Sequence, residues 1–179
     1  MVLDVAESIR TRRSTRSYDS TKRLPREVFE ALEQAVLNSP SGSNAQESHF
    51  VIVQEPDQIR RVKRFAQGVS GNPAAVAVLC SNRVEALSKG GADTAETLRF
   101  VNLGIAAAYI LLTAQSLGVS SCPARSFHAK AIQQLLGLPE EVVPELMITL
   151  GYADQPPRPK TSKPSREVLS YDRYGKESI

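Results

Sequence analysis

The run from Ala95 to Leu117 limits what this chain can fold into more than any other stretch. From Phe100 onward, Ile105, Ala106, Ala107, Ala108, Ile110, Leu111, Leu112 and Ala114 leave almost no polar face on a helix of this period. A membrane span needs about 20 mostly apolar residues. Here Arg99, Asn102, Gln115 and Ser116 bracket the apolar stretch too tightly, so no membrane association is expected. A helix that is apolar all round must be covered on both sides by protein. The chain has 179 residues, enough for one domain with a real core. In a protein of this size, a second copy of the chain is expected to cover one side of the helix. Burial therefore predicts a homodimer with the long helix at the interface.

Shorter patterns flank this helix. Asp4 to Thr11 predicts a short helix with Val5 and Ile9 on one face. A second begins at Leu24-Pro25-Arg26-Glu27, carries Val28, Leu32, Ala35 and Val36, and stops near Asn38-Ser39-Pro40. His49 to Val53 predicts a strand, and Asp57 to Ala66 a helix with Ile59, Val62 and Phe65 inward. After a turn at Gly68 to Pro73, the apolar run Ala74 to Cys80 predicts a central strand. The pattern then weakens from Ser81 to Ala92, where Gly90-Gly91 predicts a mobile loop. Gly118 ends the long helix, Val119 to Cys122 is extended with Pro123 closing it, and Ala129 to Leu136 is helical. Leu146 to Leu150 reads as a core strand. Strands and helices mix without a βαβ glycine fingerprint, which predicts an α+β domain over residues 1–154. Residues 155–179 open with Gln155-Pro156-Pro157-Arg158-Pro159. They are expected to run extended over the domain or over a partner subunit.

Charge is unevenly placed. Arg10 to Tyr18 reads Arg-Thr-Arg-Arg-Ser-Thr-Arg-Ser-Tyr, four arginines and four hydroxyls ahead of the tyrosine. Arginine forks with small hydroxyl donors suit a phosphate or another planar oxyanion. A second basic group, Arg158, Lys160, Lys163 and Arg166, lies near the C-terminus, and the two could converge on one anion. A module that binds nucleic acid through phosphates is the rival, but the N-terminal basic residues lack the interleaved aromatics such modules use. Cys80 and Cys122 are expected to be buried free thiols, and with only His49 and His128 there is no zinc spacing and no metal is expected. Asp4, Glu7 and Arg10 interrupt any apolar signal core, so a reducing cytoplasm is the expected compartment.

No Gly-x-Ser-x-Gly elbow, Walker loop or triad spacing is present. A chain rich in anion donors yet poor in acids, bases and nucleophiles implies that a cofactor does the chemistry, so no catalytic side chain is assigned.

The order of motifs then resembles the FMN-dependent nitroreductase family. Arg12-Arg13-Ser14-Thr15-Arg16-Ser17-Tyr18 is similar to its opening signature, and Ser39-Pro40-Ser41-Gly42-Ser43-Asn44-Ala45-Gln46 to its second motif. Asn102 to Ala108, running into Ala114 to Gly118, resembles its central helix, and Leu136-Gly137-Leu138-Pro139 and Leu150-Gly151-Tyr152-Ala153 match later landmarks. The resemblance spans essentially the whole chain.

It implies a nitroreductase-like fold: a central, mostly antiparallel sheet flanked by helices, in an intertwined homodimer with FMN at the interface. Arg12 and Ser14, helped by Arg13, would hold the FMN phosphate, with Lys160 or Lys163 reaching it from the tail. Arg16 would lie at the pyrimidine end of the isoalloxazine, where a fixed cation stabilises the reduced ring. Pro40, Ser41 and Asn44 would face the flavin of the partner subunit, and Gln67 its polar edge. The backbone at Ala124, Arg125 and Ser126 would donate to N5. The implied activity is ping-pong electron transfer from NAD(P)H to a small nitroaromatic, quinone or similar electrophile. Related chains that dehalogenate or dehydrogenate, and flavin carriers without turnover, are the alternatives. Two departures stand out. Glu47-Ser48 replaces the common Pro-Trp, and Pro123-Ala124-Arg125-Ser126-Phe127 replaces Pro-x-Glu-Gly-Phe, which exchanges an acid beside N5 for a base and hints at a more anionic substrate.

Overall fold

The computed structural model describes residues 3–177. Helix α1 (Val5–Thr11) starts where the Asp4 carboxylate accepts the Glu7 N–H, a side-chain cap on an otherwise unpaired donor. Helix α2 (Arg26–Leu37) follows Pro25 and buries Val28, Leu32 and Ala35 at helical spacing. A tight turn at Gly42–Asn44 leads into strand β1 (Ser48–Val53), then helix α3 (Pro56–Phe65) and strand β2 (Ala75–Asn82). Helix α4 (Arg83–Asp93) runs through a wider turn at Thr94–Leu98 into the long helix α5 (Arg99–Ser116). Strand β3 (Ser120–Ala124), helix α6 (Ala129–Leu135) and strand β4 (Val142–Gly151) complete the domain.

The four strands form one antiparallel sheet in the order β1-β2-β4-β3. Successive residues of β2 face opposite sides, so the strand feeds two cores. Ala75, Ala77 and Leu79 pack with α2 and α5, against Leu32, Leu103, Ala107 and Ile110. Val76, Val78 and Cys80 pack with α3 and α6, against Ile59, Val62 and Ile132. Burial on both faces is why β2 reads as a continuous apolar run. Each fully buried Leu or Ile contributes about 1.5–3 kcal/mol.

Helix α5 is covered on only one side by the described residues. Leu103, Ala106, Ala107, Ile110 and Ala114 are buried, whereas Phe100, Val101 and Tyr109 are 45%, 51% and 40% exposed. On α1, which packs beside it through the Gln115 amide to Thr11 Oγ1, Val5 and Ile9 are exposed as well.

Three expectations need correction. Residues 83–93 form a helix, because the Asn82 side chain accepts the N–H groups of Val84 and Glu85; the glycines mark a break inside it, with Gly91 at φ 74°. Phe65 is exposed rather than inward, since Ile59 and Val62 already fill the apolar stripe of α3. Pro123 lies within β3, tolerated because that strand is at the edge of the sheet. Residues 155–177 are mostly exposed and contain no helix or strand beyond a short turn at Ser165–Glu167.

Candidate functional site

The arginine-rich stretch is laid along the outer side of β3. Ser14 bridges Ser121 in parallel, and Thr15 N–H donates to Ser121 O at 3.0 Å. Tyr18 bridges Ala153, and Asp19 N–H reaches Tyr152 O at 2.9 Å. The buried Tyr18 hydroxyl donates to Thr15 O and shares a second hydrogen bond with Thr149 Oγ1, both at 2.6 Å. Burial lifts this phenol well above its ordinary range, only partly offset by the Thr149 bond.

Two glycines bring the turn after α3 against this stretch. At Gly71, with φ 66°, a Cβ would sit 2.6 Å from Arg16 O; at Gly68 it would sit 2.9 Å from the Ala124 Cβ. Gly68 N–H also donates to Ser126 O at 2.8 Å. The structure thus gathers Arg16, the exposed Gln67, and Ala124 to Ser126 around one turn. Beside them a cleft of about 310 Å³ is lined by Ser14 to Ser17 and by Gln155 to Arg158.

The donors here are not equivalent. Arg12 Nη1 is buried and has no hydrogen-bond partner. A charged donor removed from water and unpaired costs free energy until an acceptor arrives, so this atom is poised for an anion. Ser121 Oγ, on the strand that Ser14 bridges, is buried and unpartnered too. Arg13, by contrast, donates Nη1 to Arg10 O and Arg12 O, closing the carbonyl end of α1. In the tail, Lys160 is exposed, and Lys163 is 71% exposed with Nζ 3.9 Å from Glu167. Neither lines the cleft, whereas Arg158 does. Arg158 is the first cation after Ala153, where the Tyr18 bridge pins the chain.

Pro40, Ser41 and Asn44 occupy a different place. Their turn holds itself through Gln46 N–H to Ser41 Oγ at 3.1 Å and the Gln46 amide to Asn44 Oδ1 at 2.8 Å. Ser43, Asn44 and Gln46 all take left-handed backbone angles, with φ of 53°, 50° and 51°. One α5 side chain anchors the turn: Asn102 accepts Gly42 N–H at 3.0 Å and donates to Glu47 Oε1 at 2.8 Å. Glu47 is 1% exposed, and its other oxygen has no partner. This turn opens β1, while Ser14 lies on β3, the opposite edge. Three strand spacings separate those edges, about 14 Å. The chain therefore does not bring Pro40, Ser41 and Asn44 to the Ser14 cleft; Pro40 and Ser41 line a second hollow of about 180 Å³ instead, and Asn44 flanks it.

With this geometry in view, the Nitroreductase family profile matches residues 9–70 and 66–152. The chain belongs to the nitroreductase family. A protein from Archaeoglobus fulgidus named as an NADH dehydrogenase/NAD(P)H nitroreductase is 31% identical over 178 residues, covering 96% of this chain and 93% of its own. One of the same name from Methanothermobacter thermautotrophicus is 27% identical, over 96% and 85% of the two chains. Among solved structures, a nitroreductase in complex with FMN from Exiguobacterium sibiricum superposes with a TM-score of 0.84 at 17% identity, over 96% and 99% of the two chains.

The nitroreductase-family protein carries one further polar cluster, at the end of β3. Glu145 on β4 is buried and binds Arg99 Nη1 through Oε1, an oxygen that also faces Ser81 Oγ. Arg99 is fixed in turn by donating to Ala95 O and Ser81 Oγ at 2.7 and 2.8 Å. Arg125 approaches the other oxygen of Glu145 at 3.4 Å and holds its guanidinium 5.4 Å from the Phe127 ring centroid. The basic residue that replaces an acid is thus tethered rather than loose. His49 and His128 are exposed, and among the described residues no group of His, Cys, Asp and Glu could hold a metal ion. Cys80 and Cys122 are free and buried, with burial pushing the Cys80 thiol up to about 12.

Proposed function

We propose that this nitroreductase-family protein is an FMN-dependent oxidoreductase that passes electrons from NAD(P)H to a small electrophile such as a nitroaromatic or a quinone. The observation that carries the reading is the buried, unpartnered Nη1 of Arg12, two residues before a cleft lined by Ser14 to Ser17 and Arg158. FMN in a related structure and NAD(P)H in the names of two relatives support it.

The residues fit that cofactor. Arg12 and Ser14 hold the phosphate, and Arg158 closes on it from the tail in preference to Lys160 or Lys163. Arg13 contributes mainly by ordering the end of α1. Arg16 faces the pyrimidine end of the ring, Gln67 its edge, and the backbone of Ala124 to Ser126 presents donors at N5. Bound there, FMN supplies the two-electron chemistry that no side chain of this chain offers. Pro40, Ser41 and Asn44 come from the second protomer of a homodimer. The exposed Phe100, Val101 and Tyr109 of α5, with Val5 and Ile9 of α1, supply its apolar contact. Residues 155–177 serve as a strap over the domain or the partner, and the free thiols suit a reducing cytoplasm.

Purified protein supplied with FMN is expected to turn yellow, absorbing near ~450 nm. Initial rates with NAD(P)H and a quinone are expected to give parallel double-reciprocal lines, as one pocket used in turn requires. Intersecting lines overturn the shared pocket, and a colourless protein overturns the cofactor. Arg12→Ala is expected to weaken FMN binding about thirtyfold, the loss of a charge-assisted bond worth about 2 kcal/mol. Arg158→Ala should weaken it more than Lys163→Ala does.

A further inference from the structure

The Arg99–Glu145–Arg125 cluster sets two guanidinium groups against one carboxylate. The pairing is unequal. Arg99 and Glu145 are both buried, with side chains 9% and 8% exposed, and Arg99 takes one carboxylate oxygen while bonding Ala95 and Ser81. The charge of Glu145 is therefore balanced inside the protein. Arg125 reaches only the remaining oxygen, at 3.4 Å, longer than the 2.7–2.9 Å of a strong charge-assisted bond. Its side chain is 62% exposed. The cluster as a whole carries one uncompensated positive charge, displayed on Arg125.

That charge has a fixed address. Arg125 follows β3 directly and precedes Ser126, whose carbonyl accepts Gly68 N–H. Contact with Phe127 on one side and Glu145 on the other limits the rotamers of the guanidinium, so less side-chain freedom is lost when an anion binds. An arginine fork so placed matches a carboxylate in two-point geometry. Packing does not account for the residue, because Glu145 is already satisfied by Arg99.

We infer that Arg125 is a specificity-determining residue for the electron acceptor, and that the acceptors this protein prefers carry a carboxylate or a comparable small anion near the reducible group. This deepens the oxidoreductase reading given above and rests on it. An incoming carboxylate takes the outward face of the guanidinium, while Glu145 keeps the inward one. The acceptor is held by its anionic end at the rim, with its electrophilic end toward the backbone of Ala124 to Ser126.

The test pairs two acceptors of nearly equal size, 4-nitrobenzoate and the neutral 4-nitrobenzamide, on the FMN-loaded protein. The ratio of their kcat/KM values is expected to favour the anion at least fivefold in low salt and to shrink toward one in molar salt. In Arg125→Gln the ratio should fall about fivefold, toward one, and Arg125→Lys should recover part of it. Binding of benzoate, followed by perturbation of the flavin spectrum without turnover, should weaken in the same order. A wild-type ratio near one, indifferent to salt and to Arg125→Gln, overturns the role of Arg125 while leaving the oxidoreductase reading standing. Flavin-loaded protein that reduces neither compound nor a quinone overturns the oxidoreductase reading. Benzoate binding that depends on Arg125 in that same protein would still support an anion site there.

Discussion

At the β3 edge, Ser14 to Asp19 is held by main-chain bonds to Ser121 and Tyr152, by the buried Tyr18, and by two glycines that admit close approach. At the β1 edge, the turn from Pro40 to Gln46 is held by its own side chains and by one amide from α5, with three residues in left-handed conformations. The first is fixed entirely by contacts within the chain. The second is a mildly strained turn that exposes Pro40, Ser43, Asn44 and Gln46. The difference shows that the two motifs are built by different means, one by packing against β3 and the other by local side-chain bonds, and that they lie at opposite edges of the sheet.

The comparison can be broken at its rigid end first. Gly71→Ala adds a Cβ 2.6 Å from Arg16 O in a left-handed residue, and is expected to cost about 3–4 kcal/mol in urea unfolding. At Gly118, where φ is 73° but nothing lies within 4 Å, the same change should cost only about 1–2 kcal/mol. Equal losses would show that close approach at Gly71 contributes nothing.

At the β1 edge the test is Asn102→Ala. It strips Gly42 N–H and the buried Glu47 carboxylate of their shared partner and should cost about 2–3 kcal/mol. A loss under half of that would mean the turn carries itself.

Alkali probes the β3 edge alone. The Tyr18 phenol is raised in the folded protein, so its contribution is fully present below its ordinary value of 10.0 and is lost as pH rises toward the folded value. Stability should fall by about 1 kcal/mol between pH 10 and 11 from this group. Tyr18→Phe should flatten that part of the urea-midpoint profile.

The smallest effect should be a gain. Ser43→Gly relieves a left-handed serine at φ 53°, and after the entropy glycine loses on folding it should stabilise by about 0.5–1 kcal/mol net. A net loss of about 0.5–1 kcal/mol would mean that the turn is not strained.

Much of the fold could be read in the chain because burial patterns are local. Val28, Leu32 and Ala35 mark α2 by spacing, and the unbroken run from Ala75 to Cys80 announces a strand covered on both faces. Where the reading failed, a tertiary or capping contact overrode composition. Asn82 starts α4 in spite of Gly90 and Gly91, and the edge position of β3 accommodates Pro123. The site was legible as residue types rather than as partners. Arg12, Ser14 and Arg16 stand out as donors, but spacing could not show that Arg13 is occupied by carbonyls or that Lys163 lies beside Glu167. Arg158 was visible only as one cation among four.

By itself, the sequence determined which segments are apolar, which donors are clustered and which family the motifs resemble, because periodicity, charge and order along the chain are one-dimensional properties. Only the tertiary structure decided which donors remain unpaired. Whether Arg12 is orphaned, Arg125 half-neutralised or Glu47 sealed beneath a turn depends on what β3, β4 and α5 bring alongside. Those neighbours are 20 to 120 residues away in the chain, so no local pattern could name them.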